Sequence, residues 1–571
     1  MVAFFVGRGV CVLLLTVAAP AWPASEHPSE AGIASAHPLA TQAGQEILAA
    51  GGNAFDAAIA VTAVLAVVEP YSSGLGGGGF WLLHRARDGF EVMIDGRERA
   101  PLAARRDMYL NDKDRVIENL SVDGPLAAGI PGTPAALVHL ARRYGRLPLA
   151  KSLASAIRLA EKGFPADDHY REMAEFRLET LRAYNETART FLSNDEVPKS
   201  GALIRQPDLA ETLRLIAQQG RDGFYRGALA KHLVQGVRAA GGIWQLNDLA
   251  RYRIEERKPL RGHYRGVDIV SVAPPSAGGV VLVEALNTLS GYSLEDMDAA
   301  THTHLIVEAL RRAYRDRAEY LGDPDFVHMP LRMLMNPMYA AGLRAGISLN
   351  QATPSQLLPP IASHHNESPD TTHFSILDSN GNRVAATVTI NYPFGSGFMP
   401  PGTGVLLNNE MDDFSAKPGS PNIYELVSGE ANAIEPGKRM LSSMTPTFLD
   451  TGKRMAIVGT PGGGRITSMM LLATLAFING ADAQDMVSRL RFHHQYLPDE
   501  VQFEPGALAP AVVQELKAMG HTLRKLRDYH GNMQVVIWNR TTNHVEAASD
   551  PRGIGTAIVS TQKRPSAAMV Q

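Results

Sequence analysis

The residues that most constrain this chain lie two thirds of the way along it. Two alternating apolar runs, 371–377 and 383–390, flank Asp378-Ser379-Asn380-Gly381-Asn382, a pattern that predicts a β-hairpin. If Ser379-Asn380-Gly381 is a three-residue loop with Gly381 left-handed, Asp378 faces Asn382 and the register sets Thr371 opposite Thr389. A two-residue turn would set Ile390 there instead. Directly opposed Cβ atoms lie roughly 5 Å apart, close enough for Thr389 to orient or donate to the Thr371 hydroxyl.

The first run opens Pro369-Asp370-Thr371-Thr372-His373-Phe374. A Thr hydroxyl alone is a poor nucleophile, and one remedy is to make that Thr the first residue of a chain, so that its own α-amine is the base. That would require the chain to cut itself between Asp370 and Thr371. Taken alone, a Thr pair before a strand is structural, since Thr is enriched in strands. The preceding stretch, 345–370, holds Pro354, Pro359, Pro360, His364, His365, Asn366 and Pro369 with weak periodicity. It reads as an exposed, flexible connection, a fit place for a cut.

Upstream, helical periodicity runs through 43–68, 134–143, 149–162, 209–219 and 302–320, with Gly51-Gly52-Asn53 as a C-cap between two helices. Strands are expected at the glycine loop 74–79 and near 267–272, so the part before 360 reads as mainly helical with some strands and the part after 370 as strand-rich.

Bulk properties narrow the class. The 571 residues, 45% hydrophobic and 20% charged, fit a soluble globular protein with a large core. A formal net charge of -3 with no basic stripe argues against nucleic acid as a partner. Arg8, the apolar run 10–19 and the small-residue sites Ala19-Pro20-Ala21 and Pro23-Ala24-Ser25 read as an export signal over residues 1–24, too short for a bilayer span of roughly 20 residues. The single cysteine, Cys11, lies within it, so the mature chain would carry no disulfide or thiolate metal site. A periplasmic or secreted bacterial location is expected.

Several motifs fail on context. Gly74-Leu75-Gly76-Gly77-Gly78-Gly79 fits GxGxxG but runs into Phe80-Trp81-Leu82-Leu83, a strand rather than a helix. Gly459 to Gly464 has the Walker spacing, yet Arg465-Ile466 stands where Lys and Ser/Thr are needed. The pairs His364-His365 and His493-His494 lack metal-ligand spacing, and no GxSxG elbow is present. No cofactor and no metal are expected.

Beyond the hairpin come Asn391-Tyr392-Pro393-Phe394-Gly395-Ser396-Gly397, then Leu407-Asn408-Asn409-Glu410-Met411-Asp412-Asp413, Leu441-Ser442-Ser443-Met444-Thr445-Pro446 and Gly459-Thr460-Pro461-Gly462-Gly463-Gly464-Arg465. With Asp95-Gly96-Arg97-Glu98-Arg99-Ala100-Pro101 upstream, the chain resembles the γ-glutamyltransferase (γ-glutamyltranspeptidase) family over nearly its whole length. The resemblance implies an α+β N-terminal-nucleophile hydrolase, a four-layer αββα sandwich autoprocessed into a large subunit (25–370) and a small subunit (371–571) that remain together as a heterodimer.

By the same resemblance Thr371 is the nucleophile and Thr389 its supporting hydroxyl, in agreement with the hairpin register. Arg97 corresponds to the Arg that holds the substrate α-carboxylate, a task suited to a planar fork, with Arg99 as the nearby competitor. Ser442 and Ser443 correspond to further carboxylate contacts, and Asn391, Glu410 and Asp413 to the groups around the α-ammonium. Gly462 and Gly463 correspond to the oxyanion hole; successive N–H groups in a glycine turn before the helix-like run 466–478 suit developing negative charge. Tyr424 corresponds to a lid aromatic. Two departures, Glu410 where some bacterial relatives have Gln and Gly464 where others have Ser, bear on acceptor preference and pocket polarity.

The implied activity is transfer of a γ-glutamyl group from glutathione or a similar donor to an amino acid, a peptide or water. Two rivals keep part of the pattern: a cephalosporin or glutaryl acylase on the same scaffold, and an uncleaved periplasmic binding protein for amino acids or peptides.

Overall fold

The computed structural model describes residues 27–358 and 371–561. The export signal, the bond before Thr371 and His364-His365 lie outside the described residues.

The predicted hairpin forms with the three-residue loop. The Asp378 N–H donates to the Asn382 carbonyl at 3.0 Å, the Gly381 N–H to the Asp378 carbonyl at 2.9 Å, and Gly381 has φ +86°. The Asp378 carboxylate locks the turn: it accepts from the Asn380 and Asn382 backbones and, across the molecule, from the N–H of Ala54 at 3.0 Å. Burial raises the pKa of this carboxyl above its ordinary value.

Two sheets are stacked. The first is built from β1 (Ala31–Ser35), β2 (Gly78–Arg85), β3 (Phe90–Asp95), β4 (Glu255–Arg257), β7 (Thr372–Leu377), β8 (Arg383–Thr389) and β13 (Thr556–Ser560). The second contains β5 (Leu260–Tyr264), β6 (Val267–Ser271), β9 (Thr447–Asp450), β10 (Arg454–Gly459), β11 (Gln534–Asn539) and β12 (His544–Ser549). In space the first runs β13-β1-β7-β8-β2-β3-β4 and the second β12-β11-β10-β9-β6-β5. Helices α1 (Pro38–Ala49) and α2 (Ala54–Val68) cover the outer face of the first sheet; α3 (Gly278–Leu289) and α5 (Ile466–Ile478) cover the second, and α4 (Ala299–Tyr320) packs on α3. The result is the expected αββα sandwich.

Both faces of the first sheet are buried, which explains the unbroken apolar run in β2. Trp81 and Leu83 point to the α1/α2 layer, Phe80 and Leu82 to the facing sheet, as a period of two requires. Helix α2 is buried along its whole length, and its N-terminus carries a reciprocal capping box between Asn53 and Asp56. Asn53 thus starts the second helix rather than ending the first, a correction to the C-cap expectation; Gly51, with φ +89°, makes the reversal.

The upstream part is mainly helical and also contributes strands to the sandwich: besides β2 and β6, β1, β3, β4 and β5 belong to it, and the upstream strands interleave with the downstream ones. β1 and the end of β3 are buried on both faces and lack the alternation by which a strand is read, while β4 is only three residues long and β5, though alternating, has a Gly at its centre. The connection after 345 is mostly exposed where it is described, as expected, but is anchored at Ser355. Ser355 is buried, its N–H donates to Asp499 at 2.7 Å, and Arg311 donates to its hydroxyl.

The glycine loop is a packing device. A Cβ on Gly76 would stand 2.0 Å from the Leu406 carbonyl oxygen, and one on Gly77 2.0 Å from that of Thr389. Only glycine permits this approach, which presses the loop against the strand carrying Thr389.

Candidate active site

The register of β7 with β8 runs from Arg383–Leu377 to Val388–Thr372, so Thr371 falls opposite Thr389 one step further on. Both are buried and line one narrow cleft together with Arg97, Asn391, Glu410, Asp413, Tyr424, Ser442, Ser443 and Gly463. Gly462 lines an adjoining, larger cavity that also reaches Thr371. Eleven residues named from sequence, spread over more than 360 positions, therefore converge around one hydroxyl.

Local geometry explains how each is held. The Thr389 hydroxyl oxygen accepts the Asn391 N–H at 2.7 Å, so its own proton is directed elsewhere. Asn391 has φ +75° and donates through its amide to the Asn409 carbonyl at 3.0 Å, which turns the chain out of β8 at the cleft. Gly462 and Gly463 have φ +139° and +53° and lead through a short 3-10 turn into α5. Left-handed backbone of this kind favours glycine. The Tyr424 ring lies directly on Gly463, whose Cβ would stand 2.6 Å from it, and the Tyr424 hydroxyl donates to the Asn391 carbonyl.

Arg97 is fully buried. Its Nε donates to the Met440 carbonyl at 3.2 Å, Nη2 to the Leu441 carbonyl at 3.3 Å, and Nη1 and Nη2 pair with Glu410 and Asp413 respectively. Arg99 instead reaches Glu255 at 3.3 Å and is not among the residues that line the cleft. The groups expected at opposite ends of a substrate head are thus in contact with one another.

The charge balance is tight. Burial lifts the Glu98 carboxyl to about 8 against the pull of Arg97, pushes Glu410 well above the ordinary carboxylate range, and raises Asp413, which Arg97 and Asn422 hold down. For Arg97 the burial penalty is outweighed by Glu410, Asp413 and Glu98, which strengthen its charge. Arg97, the guanidinium in contact with all three acids, does not keep Glu98, Glu410 and the partly buried Asp413 all ionised, and a proton shared between Glu98 and Glu410 fits these directions. Both Glu98 oxygens lack a hydrogen-bond partner among the described residues.

Sequence reasoning missed Glu98, Asn409, Tyr314 and Arg317. Tyr314 donates to the Gly464 carbonyl behind the glycine turn, and Arg317 donates to the Ser443 hydroxyl at 3.4 Å. Both lie on α4, where isolated polar residues read as a solvated face, so no signal pointed to them.

As for metals, His304, Glu308 and His521 bring donor atoms within 4.8 Å of one another. The Glu308 carboxylate, however, already accepts from Arg311 and Arg312, at 3.1 and 2.6 Å, and two guanidinium groups oppose a cation there.

A sequence profile described as Gamma-glutamyltranspeptidase matches residues 40–560. The chain belongs to the γ-glutamyltranspeptidase family. It is 43% identical over 493 residues to the glutathione hydrolase proenzyme of Pseudomonas sp. (strain A14), covering 86% of this chain and 85% of that relative. The corresponding Escherichia coli (strain K12) proenzyme is 40% identical over 527 residues, covering 91% and 90%. Among solved structures, a cephalosporin acylase from Bacillus halodurans superposes with a TM-score of 0.81 at 28% identity, covering 96% of this chain and 99% of the other. Enzymes of the γ-glutamyltranspeptidase family and acylases thus share this scaffold, and the cleft has to distinguish them.

Proposed function

We propose that this chain is the proenzyme of a γ-glutamyltransferase and glutathione hydrolase, cut before Thr371 into subunits 25–370 and 371–571. The observation that carries the reading is the shared cleft: Thr371 lies with a buried guanidinium, the buried Glu410 carboxyl, the partly buried Asp413 carboxyl and a left-handed glycine turn.

In maturation the Thr371 hydroxyl attacks the preceding carbonyl and the acyl group shifts from nitrogen to oxygen, which breaks the C–N bond and frees the α-amine; water then hydrolyses the ester, restoring the hydroxyl and leaving a carboxylate on Asp370. Such an amine has a reference pKa of about 7.7–8.0, close to the best value for proton transfer near neutral pH. It takes the hydroxyl proton as Thr371 attacks the γ-amide carbon of a γ-glutamyl donor. The Thr389 hydroxyl orients the attacking oxygen. The oxyanion is held by the N–H groups of Gly462 and Gly463, each such donor contributing roughly 3 kcal/mol in other enzymes. The amine leaves with a proton, and a γ-glutamyl ester on Thr371 remains. Water then releases glutamate, whereas an amino acid or peptide amine takes the acyl group.

Recognition of the head group follows from the ion pairs. The substrate carboxylate takes Arg97, Ser442 and Ser443 while the ammonium takes Asn391, Glu410 and Asp413. Binding exchanges the internal ion pairs of Arg97 with Glu410 and Asp413 for intermolecular ones, and no charge is left buried without a partner. Tyr424 then closes over the glutamyl group.

The scaffold shared with the cephalosporin acylase supports a second reading, an acylase that takes glutaryl groups. Glu410 and Asp413 favour the first, since a glutaryl group offers no ammonium to them. Turnover of a γ-glutamyl anilide against a glutaryl anilide separates the two, and the γ-glutamyl reading fails if the glutaryl compound is the better substrate. A denaturing gel with N-terminal sequencing of the smaller fragment tests the cut. A periplasmic location accords with the export signal; among the described residues no helix is long and apolar enough to cross a membrane.

A further inference from the structure

The carboxylate end of the cleft has a second cation. Arg317, near the C-terminal end of α4, is 4% exposed and donates from Nη2 to the Ser443 hydroxyl oxygen at 3.4 Å, while its Nε and Nη1 have no hydrogen-bond partner among the described residues. Arg97, by contrast, has its guanidinium occupied on every nitrogen by Glu410, Asp413 and the carbonyls of Met440 and Leu441. An incoming carboxylate reaches Arg97 only by displacing an acid. It meets the positive potential of Arg317 without displacing anything.

We infer that Arg317 is a positioning residue for donor specificity: by donating to Ser443 it fixes that hydroxyl as a donor aimed at the substrate α-carboxylate and adds the second positive charge that this carboxylate requires. This rests on the γ-glutamyl reading above. Three observations carry it. Ser443 lines the cleft and Arg317 stands behind it, outside the lining, so its action passes through the hydroxyl. A guanidinium that donates to a hydroxyl oxygen leaves the hydroxyl proton to point away from it, and polarisation along such a chain strengthens the outer bond. Finally, a buried cation with two unused donors is costly unless something anionic arrives nearby. Burial lowers the pKa of this guanidinium, with Tyr314 and Asp413 opposing the shift, so a bound carboxylate would relieve the penalty.

The experiment uses the matured enzyme and two donors that differ only in the α-carboxylate, a γ-glutamyl anilide and a 4-aminobutyryl anilide. They are read as turnover where measurable and as competitive inhibition by the anilide where not. In Arg317→Gln the γ-glutamyl anilide should lose about ten- to hundredfold in kcat/KM, mostly as a higher KM, while the 4-aminobutyryl anilide changes by less than about threefold. Arg317→Lys should recover part of the loss, and Ser443→Ala should add little to Arg317→Gln because both remove one device. Equal losses on both anilides, or no loss on the γ-glutamyl compound, overturn the inference. If Arg317→Gln fails to mature, the same comparison is made with Arg317→Lys, where a loss confined to the γ-glutamyl anilide supports the inference and an equal loss overturns it. Failure of the γ-glutamyl reading itself would show in the parent enzyme, as no preference for the anilide that carries both head groups.

Discussion

Replacing Gly463 by Ala tests whether the lid and the oxyanion turn form one unit. The added Cβ would lie 2.6, 2.8 and 3.1 Å from three atoms of the Tyr424 ring, at a residue whose φ is +53°. The left-handed backbone costs an L-residue roughly 1–2 kcal/mol. Moving the ring also breaks the hydrogen bond from the Tyr424 hydroxyl to the Asn391 carbonyl, worth about 1 kcal/mol. Together about 2–3 kcal/mol should be lost from the arrangement that aims the Gly463 N–H at the reacting carbonyl, a fall of about 30- to 150-fold in kcat/KM. In a Tyr424→Ala background the ring term is already gone, and Gly463→Ala should then cost only about 5- to 30-fold. The assay is initial-rate hydrolysis of a γ-glutamyl anilide by the four proteins of this cycle, each checked for maturation on a denaturing gel. Activity of Gly463→Ala within twofold of the parent, or an identical penalty with and without Tyr424, would refute the reasoning.

Three further outcomes are expected. Thr371→Ala should leave a single uncut polypeptide with no turnover, seen together by mass spectrometry and by the anilide assay; persistence of either cleavage or activity contradicts the mechanism. Thr389→Val keeps the shape but strands the Asn391 N–H that its hydroxyl now accepts, so thermal unfolding should report about 1–3 kcal/mol of lost stability alongside slower turnover, and an unchanged melting temperature would count against it. Burial holds His373 at a pKa of about 3, below the ordinary 6.5. Its folded state therefore stays neutral while the unfolded chain takes up a proton, and its contribution to stability is full above pH 6.5 and is lost as pH falls from there towards 3, with a slope approaching about 1.4 kcal/mol per pH unit. Denaturant titrations of His373→Gln between pH 4 and 7 should show a shallower loss than the parent.

What could be read in advance followed from local chemistry. The Asp378 to Asn382 turn left two registers open, a three-residue loop with Gly381 left-handed that pairs Thr371 with Thr389 and a two-residue turn that puts Ile390 there, and the folded hairpin takes the first. The helix 149–162 was legible from its apolar spacing to the residue, and α5 likewise because a glycine turn precedes a continuous apolar run. Strands β1, β3, β4 and β5 were not, because long-range pairing decides whether a short segment is extended. At the site, Arg97 and Asp413 could be named through a resemblance of motif, but their direct pairing in the cleft is a property of packing. Glu98 and Arg317 were illegible for the same reason: a charged residue reads as solvated until the fold shows water excluded from it.

The order of strands in the first sheet has a further consequence. Strand β1, near the start of the chain, is inserted between β7 and β13, and β2 hydrogen-bonds to β8, so the two products of a cut before Thr371 alternate within one continuous ladder. Neither product can close its own backbone ladder without the other. Parting the two polypeptides would be the same event as melting the sandwich, and the matured dimer should therefore show no dissociation on dilution, behaving in solution as a nicked monomer.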